Sequence, residues 1–205
     1  MLFPSPFFDS ADGYSVLVPL LGPEDRLPGC PKRILVAGTS GSGKTTLASR
    51  IGALLGIEHV EIDGLYHGPN WTPRAQFLVD VTTFSSAPRW VTEWQYRSVR
   101  DLLADEADLL VWLDLSRGTV MRQVIVRTVQ RRLGRKVLWN GNIEPPLHTF
   151  FSDRDHIVRW AWNTHRTSAL RIAALRDRRP DLTIVRLRTH ADIERWIAGP
   201  LQTRA

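Results

Sequence analysis

The stretch Arg33-Ile-Leu-Val-Ala-Gly-Thr-Ser-Gly-Ser-Gly-Lys-Thr-Thr-Leu-Ala-Ser-Arg50 constrains the fold more than any other part of the chain. Ile34 to Ala37 is an apolar run that reads as a buried strand, and Leu47, Ala48 and Ile51 share one side of a following helix. Between them stands G-x-x-x-x-G-K-[ST], with Gly38, Gly43, Lys44 and Thr45 at the fixed positions. Glycines allow a tight turn that brings backbone N–H groups up to a phosphate chain, and the helix N-terminus adds its dipole to the same anion site. The loop of Gly38, Thr39, Ser40, Gly41, Ser42, Gly43, Lys44, Thr45 and Thr46 is therefore expected to bind ATP. Lys44 would reach the β- and γ-phosphates, Thr45 would place its hydroxyl on Mg²⁺, and Lys44 is expected to face solvent when no nucleotide is present.

The rest of the chain alternates strands with helices. Strands are expected at 34–37, 59–63, 89–93, 108–114 and 182–187. Helices follow from 44 to about Leu55, closed by Gly56, and over 98–106, 117–133, 153–178 and 191–198. Ser152 is the natural N-cap of the fourth of these. This alternation predicts an α/β P-loop NTPase: a parallel five-stranded sheet with helices on both faces, joined by right-handed crossovers. Residues 1–31 are rich in Pro and Gly and read as an N-terminal arm ahead of a domain over 32–205. Their run Val16-Leu-Val-Pro-Leu-Leu21 is suited at most to an edge strand. Residues 64–88 carry turn signals and a modest helical pattern, and 134–146 form an irregular basic loop.

At 205 residues with 43% apolar content, the chain suits one domain with a real core. No run approaches the roughly 20 apolar residues that cross a bilayer, and the first residues lack the pattern of a secretory signal. A single cysteine, Cys30, fits a reducing cytoplasm. The net charge of +6 comes from arginines concentrated after residue 117. They could converge on nucleotide phosphates or form a basic face for nucleic acid.

In such a sheet, ligands bind beyond the carboxyl ends of the strands. Three carboxylates stand at those ends: Asp63, Glu93 and Asp114. Phosphoryl transfer needs one carboxylate near Mg²⁺ and its waters, and often another to accept the acceptor's proton. Each also has an ordinary reading: Asp114 as a helix cap, Asp63 as a turn residue, Glu93 as an exposed strand end. Spacing alone does not assign base and metal-water ligand among the three.

The phosphate loop, Glu61-Ile-Asp-Gly64, the segment from Pro69-Asn-Trp71 to Phe77, and Trp90-Val-Thr-Glu-Trp-Gln-Tyr-Arg97 resemble the adenylate-kinase-like P-loop kinases. Together with Trp160-Ala-Trp-Asn163 they are most similar to the subgroup called DNA topology modulation proteins, over roughly residues 32–190. The resemblance implies that Glu93 holds Mg²⁺ water and that Arg97 grips a phosphate of the acceptor. It places Arg74 in a flap over the acceptor within 64–88, and Arg127 and Arg131 beside a lid within 127–150. The family has Asp-Gly where this chain has Glu93-Trp94, and an indole there competes for the room a nucleoside monophosphate needs.

Of the tryptophans, Trp90, Trp112 and Trp196 are expected in the core, whereas Trp71 and Trp139 fall in loops and could stack on a ring. The histidines show no metal spacing; His67, four residues after Asp63, reads either as a contact to the acceptor or, more simply, as a surface residue. These features point to an ATP- and Mg²⁺-dependent kinase acting on a nucleotide, nucleoside or related metabolite. Lys44, Asp63, Arg127 and Arg131 would serve transfer, Asp63, Trp71, Arg74 and Arg97 the acceptor, and Thr45 and Glu93 the metal. The expected enzyme is cytoplasmic, a monomer or homodimer, with no membrane partner. A nucleotide-switched nucleic-acid-binding ATPase is the lesser alternative.

Overall fold

The computed structural model describes residues 20–133 and 157–202. Among them run six strands: β1 (Leu20–Leu21), β2 (Arg33–Gly38), β3 (His59–Val60), β4 (Trp90–Glu93), β5 (Leu109–Leu113) and β6 (Thr183–Leu187). They form one sheet in the order β1-β6-β5-β2-β4-β3, every pair parallel. The helices are α1 (Lys44–Leu55), α2 (Ile62–Tyr66), α3 (Phe77–Ser85), α4 (Arg100–Glu106), α5 (Arg117–Leu133), α6 (Ile157–Arg178) and α7 (His190–Trp196).

The period-two geometry of the central strands builds two cores. Ile34 and Val36 of β2 pack with Leu47, Ala48 and Ile51 of α1 and with Ile193 and Trp196 of α7. Leu35 and Ala37 face the other way, toward Phe77 and Val81 of α3, Leu103 of α4 and Ile172 of α6. Each of the Val, Leu, Ile and Phe side chains among them contributes about 1.5–3 kcal/mol when fully buried. A one-residue slip of β2 would exchange the two sets, so packing fixes the register. Gly56 closes α1 at φ 60°, its N–H on the Gly52 carbonyl. Thr189 and Asp192 cap α7 reciprocally.

Three expectations are corrected. The sheet has six described strands rather than five, because Leu20 and Leu21 pair with Ile184 and Val185 and so cover the edge of β6. Leu27 then enters the first core at 2% exposure, so Leu20, Leu21 and Leu27 anchor the described part of the arm to the domain. The strand expected over 59–63 ends at Val60. Ile62 instead turns its side chain into the second core and its N–H onto the Glu93 carboxylate at 3.2 Å, which starts α2 and moves Asp63 from a strand end to a helix's first turn. The terminal helix gives way at Ile197 to a wider turn that buries Ile197 and Leu201. Trp90, Trp112 and Trp196 are core residues as expected. Ser152, Trp139, residues 134–150 of the expected lid and the Arg131 side chain lie outside the described residues.

Candidate active site at the phosphate loop

The loop between β2 and α1 depends on glycine at two places for different reasons. Gly41 has φ 83°, and a Cβ there would stand 2.0 Å from Cγ2 of Val124, so α5 is seated directly on the loop. Gly43 has φ 95° and open space around it, so only the left-handed backbone requires glycine. The Ser42 N–H closes the turn on the Thr39 carbonyl at 3.1 Å, and the first bond of α1 runs from Leu47 N–H to Gly43 O at 2.9 Å. Helix geometry leaves the N–H groups of the preceding residues for an outside acceptor. The Ser42 hydroxyl oxygen is buried with no protein partner. Backbone donors, a helix N-terminus and an unmatched buried hydroxyl suit a bound phosphate chain.

Lys44 does not face solvent. It is half-buried, with its ammonium donating to the Thr39 carbonyl at 3.4 Å. Burial lowers its pKa, the charges of Asp63 and Glu93 work in the opposite direction, and Arg127 and Arg171 add to the lowering. Two acids and two guanidinium groups from four separate elements thus act on one lysine.

Glu93 is not an exposed strand end: it is 1% exposed. Its carboxylate accepts from the Ile62 N–H at 3.2 Å and lies 3.1 Å from His59 Nε2, with Thr45 close enough to favour its charged form. Burial alone would raise its pKa, but His59, the Ile62 N–H and Thr45 together hold it below the ordinary glutamate range. An ionised glutamate therefore rests against the hydroxyl that the loop motif assigns to Mg²⁺. Among the described residues no group of three His, Cys, Asp or Glu could hold a metal alone. Mg²⁺ carried by nucleotide phosphates needs only one or two protein contacts, and Thr45 with Glu93 fits that demand.

Asp63 belongs to a second network. Its Oδ1 accepts from the Tyr96 hydroxyl at 2.6 Å and from the Gln95 side-chain amide, and the Tyr96 hydroxyl lies 3.1 Å from His67 Nε2. Burial and the neighbouring Asp63 charge push the Tyr96 pKa far up, so the phenol stays protonated. His67 is thus part of the site rather than a surface residue. Asp114 stands apart. Arg186 donates to its Oδ2 from Nε at 2.8 Å while lying 4.7 Å over the Trp112 ring, and Ser116 caps α5 instead. Its carboxylate is committed to an ion pair.

On the acceptor side, Tyr66 stacks on Tyr96 at 4.0 Å and 23°, Phe77 meets both rings edge-on, and Trp71 stands edge-on to His67 at 5.1 Å. Arg74 bonds to the Leu65 carbonyl at 3.1 Å and pairs with Asp80 at 3.0 Å, which ties it into the flap segment. Arg97 is exposed, with Arg100 close enough to feel its charge. Trp94 does not compete with an acceptor, because its indole turns into the second core and donates to the Arg100 carbonyl at 2.9 Å. The structure brings Lys44, Thr45, Asp63, Glu93 and Arg127 near one another. It adds His59, His67, Gln95, Tyr96 and Arg171. Gln95 and Tyr96 lie inside the stretch that carried the resemblance. His59 and Arg171 gave no local signal, since only strand register and helix packing bring them near.

No protein-family model and no curated protein matches the chain. Among solved structures it is similar to a gluconokinase from Sinorhizobium meliloti 1021, with 21% identity over 88% of this chain and 95% of that one and a TM-score of 0.48. It is also similar to a shikimate kinase from Acinetobacter baumannii, with 13% identity over 84% and 87% of the two chains and a TM-score of 0.48. A sugar kinase from Janibacter sp. HTCC2649 has 17% identity over 85% and 98%, with a TM-score of 0.43. At these levels the likenesses carry no functional inference. The parallel strand order and the phosphate loop between β2 and α1 define the α/β P-loop fold on their own. Among the described residues no helix is long and apolar enough to cross a membrane.

Proposed function

We propose that this protein is an ATP- and Mg²⁺-dependent kinase of the adenylate-kinase-like kind, related to the DNA topology modulation subgroup, which transfers a phosphoryl group to a small acceptor. The acceptor is a nucleotide, nucleoside or related metabolite. One observation carries the reading: two carboxylates act on Lys44 but are held by separate partners, Glu93 by His59 and the Ile62 N–H, Asp63 by Gln95 and Tyr96. A phosphoryl-transfer site needs that division, one acid on the metal side and one for the acceptor's proton.

Mg²⁺, when bound, neutralises charge on the phosphates. The chain's own residues do the rest. Loop N–H groups hold the phosphates, and Thr45 and Glu93 face the cation. Lys44 leaves the Thr39 carbonyl for the phosphates, where donors fixed in a dry site stabilise shifting charge. Asp63 takes the acceptor's hydroxyl proton. Arg127 and Arg131 stabilise the transferring group, and Arg74, Arg97 and Trp71 hold the acceptor within the flap of residues 64–88. Water must be kept from the transferring group, because it would otherwise compete as acceptor. The enzyme works in the cytoplasm as a monomer or homodimer.

The net charge of +6 supports nucleic-acid binding only weakly, because charge alone does not specify a nucleic-acid partner. The test is ADP release from MgATP with a panel of nucleosides, nucleoside monophosphates and sugars. Turnover that depends on one acceptor class supports the reading. Slow release independent of every acceptor, with tight, salt-sensitive DNA binding that needs ATP, would replace it with the nucleic-acid alternative.

A further inference from the structure

We propose that Tyr96 and His67 are positioning residues for Asp63, forming a donor chain that secures one carboxylate oxygen and turns the other toward the acceptor. This rests on the kinase reading of Asp63 given above. The Tyr96 hydroxyl has one hydrogen, and it lies 2.6 Å from Asp63 Oδ1 and 3.1 Å from His67 Nε2. An ionised carboxylate only accepts, so the phenolic hydrogen goes to Asp63. His67 Nε2 must then be the donor to the Tyr96 oxygen. The chain therefore runs from His67 Nε2–H through Tyr96 O–H to Asp63 Oδ1. Gln95 delivers a second hydrogen to the same oxygen. Both neutral donors meet Oδ1, which leaves Oδ2 as the oxygen for an incoming hydroxyl.

The backbone supports a special role for Tyr96. Its φ is 61°, a left-handed conformation that costs a bulky residue energy and persists only where surroundings enforce it. Tyr66 stacked on one face and Phe77 at the edge supply that enforcement. Because the phenol stays protonated, Tyr96 orients the base and does not itself take the substrate's proton. His67 also meets Trp71 edge-on at 5.1 Å, and Trp71 is itself left-handed at φ 59°. The donor chain thus begins in the flap segment and ends on the base, which links acceptor contact at Trp71 to the aim of the carboxylate.

The experiment compares the full-length wild type with Tyr96→Phe, His67→Leu, His67→Gln, Asp63→Asn and the Asp63→Asn/Tyr96→Phe double variant. Each is assayed with MgATP and the acceptor panel above, alongside melting temperature and ¹⁵N shifts of the His67 ring. Tyr96→Phe should lower kcat by about ten- to a hundredfold, the range for losing one hydrogen bond to a charged group, with the KM for ATP unchanged. His67→Leu should fall with it, and His67→Gln, whose amide can reach the same oxygen, should recover most of the loss. In the Asp63→Asn background Tyr96→Phe should add little, because the two act as one unit. The His67 shifts should report hydrogen on Nε2. Acceptor-dependent turnover that Tyr96→Phe leaves intact, a full Tyr96→Phe effect without Asp63, or hydrogen on Nδ1 alone would overturn the proposal by itself. Absence of acceptor-dependent turnover in the wild type would remove the kinase reading as well.

Discussion

His59 Nε2 stands 3.1 Å from Glu93 Oε1, joining the start of β3 to the end of its neighbour β4. Glu93 is thereby held below its ordinary pKa of 4.5. Between the lowered value and 4.5 the unfolded chain binds more protons than the folded one, so stability rises with pH across that window. The contribution is complete above pH 4.5 and disappears as pH falls through the folded-state value. Glu93→Gln cannot titrate, so its melting temperature should fall less steeply with acid and the two curves should converge. A wild-type curve no steeper than that of the variant would contradict this.

Lys44 is expected to matter for turnover and not for folding. Burial depresses its pKa, so keeping the ammonium charged opposes stability in the protein without nucleotide. Lys44→Ala should keep or raise the melting temperature while lowering activity by about 10²-fold or more. Lys44→Arg should fail too, because a planar fork does not replace a compact point charge. Turnover and thermal melting measured on the same preparations decide the matter. An active Lys44→Ala protein, or an unfolded one, would defeat it.

The loop glycines should separate under substitution. Gly43→Ala meets open space and bears only the left-handed backbone cost, about 1–2 kcal/mol. Gly41→Ala carries that cost and also drives its methyl into Val124, adding roughly 1–3 kcal/mol of overpacking. Denaturant unfolding should therefore rank Gly41→Ala below Gly43→Ala. Val124→Ala should return part of the difference in the Gly41→Ala background. Equal losses at the two positions would show that α5 yields freely.

Asp114→Asn should lower stability with turnover little changed, since the carboxylate serves Arg186 over the Trp112 ring. The loss should be roughly 1–2 kcal/mol for a half-buried charge-assisted contact. A fall in kcat at unchanged stability would return Asp114 to the active site.

The phosphate loop was legible because its chemistry is local. Glycine, lysine and threonine at fixed offsets, between an apolar run and an amphipathic helix, determine both the turn and the anion site. The central strands were legible for a related reason, since burial on both faces makes Leu109 to Leu113 continuously apolar. The carboxylates were found as residues but misjudged in setting. Asp63 reads as a strand end because His59 to Asp63 is short and alternates polar with apolar residues, and only the Ile62 N–H on Glu93 shows why the strand stops. Tyr96 and His67 come together through tertiary packing, and a left-handed tyrosine has no local signature. Arg171 lies more than a hundred residues from Lys44, so only the packed position of α6 brings its charge near.

The pairing of Leu20 and Leu21 with β6 has a consequence for how copies of the chain treat one another. Without it, the five residues of β6 would form the rim of the sheet, with a row of N–H and C=O groups open to any extended strand. Among the described residues, the strand laid along that rim is two residues long, which leaves little regular backbone for a neighbour to extend. Removing the arm through Leu21 would therefore cost more than its own contacts. It would turn a closed edge into a template, and the shortened protein would be lost to edge-to-edge association well before its two cores came apart.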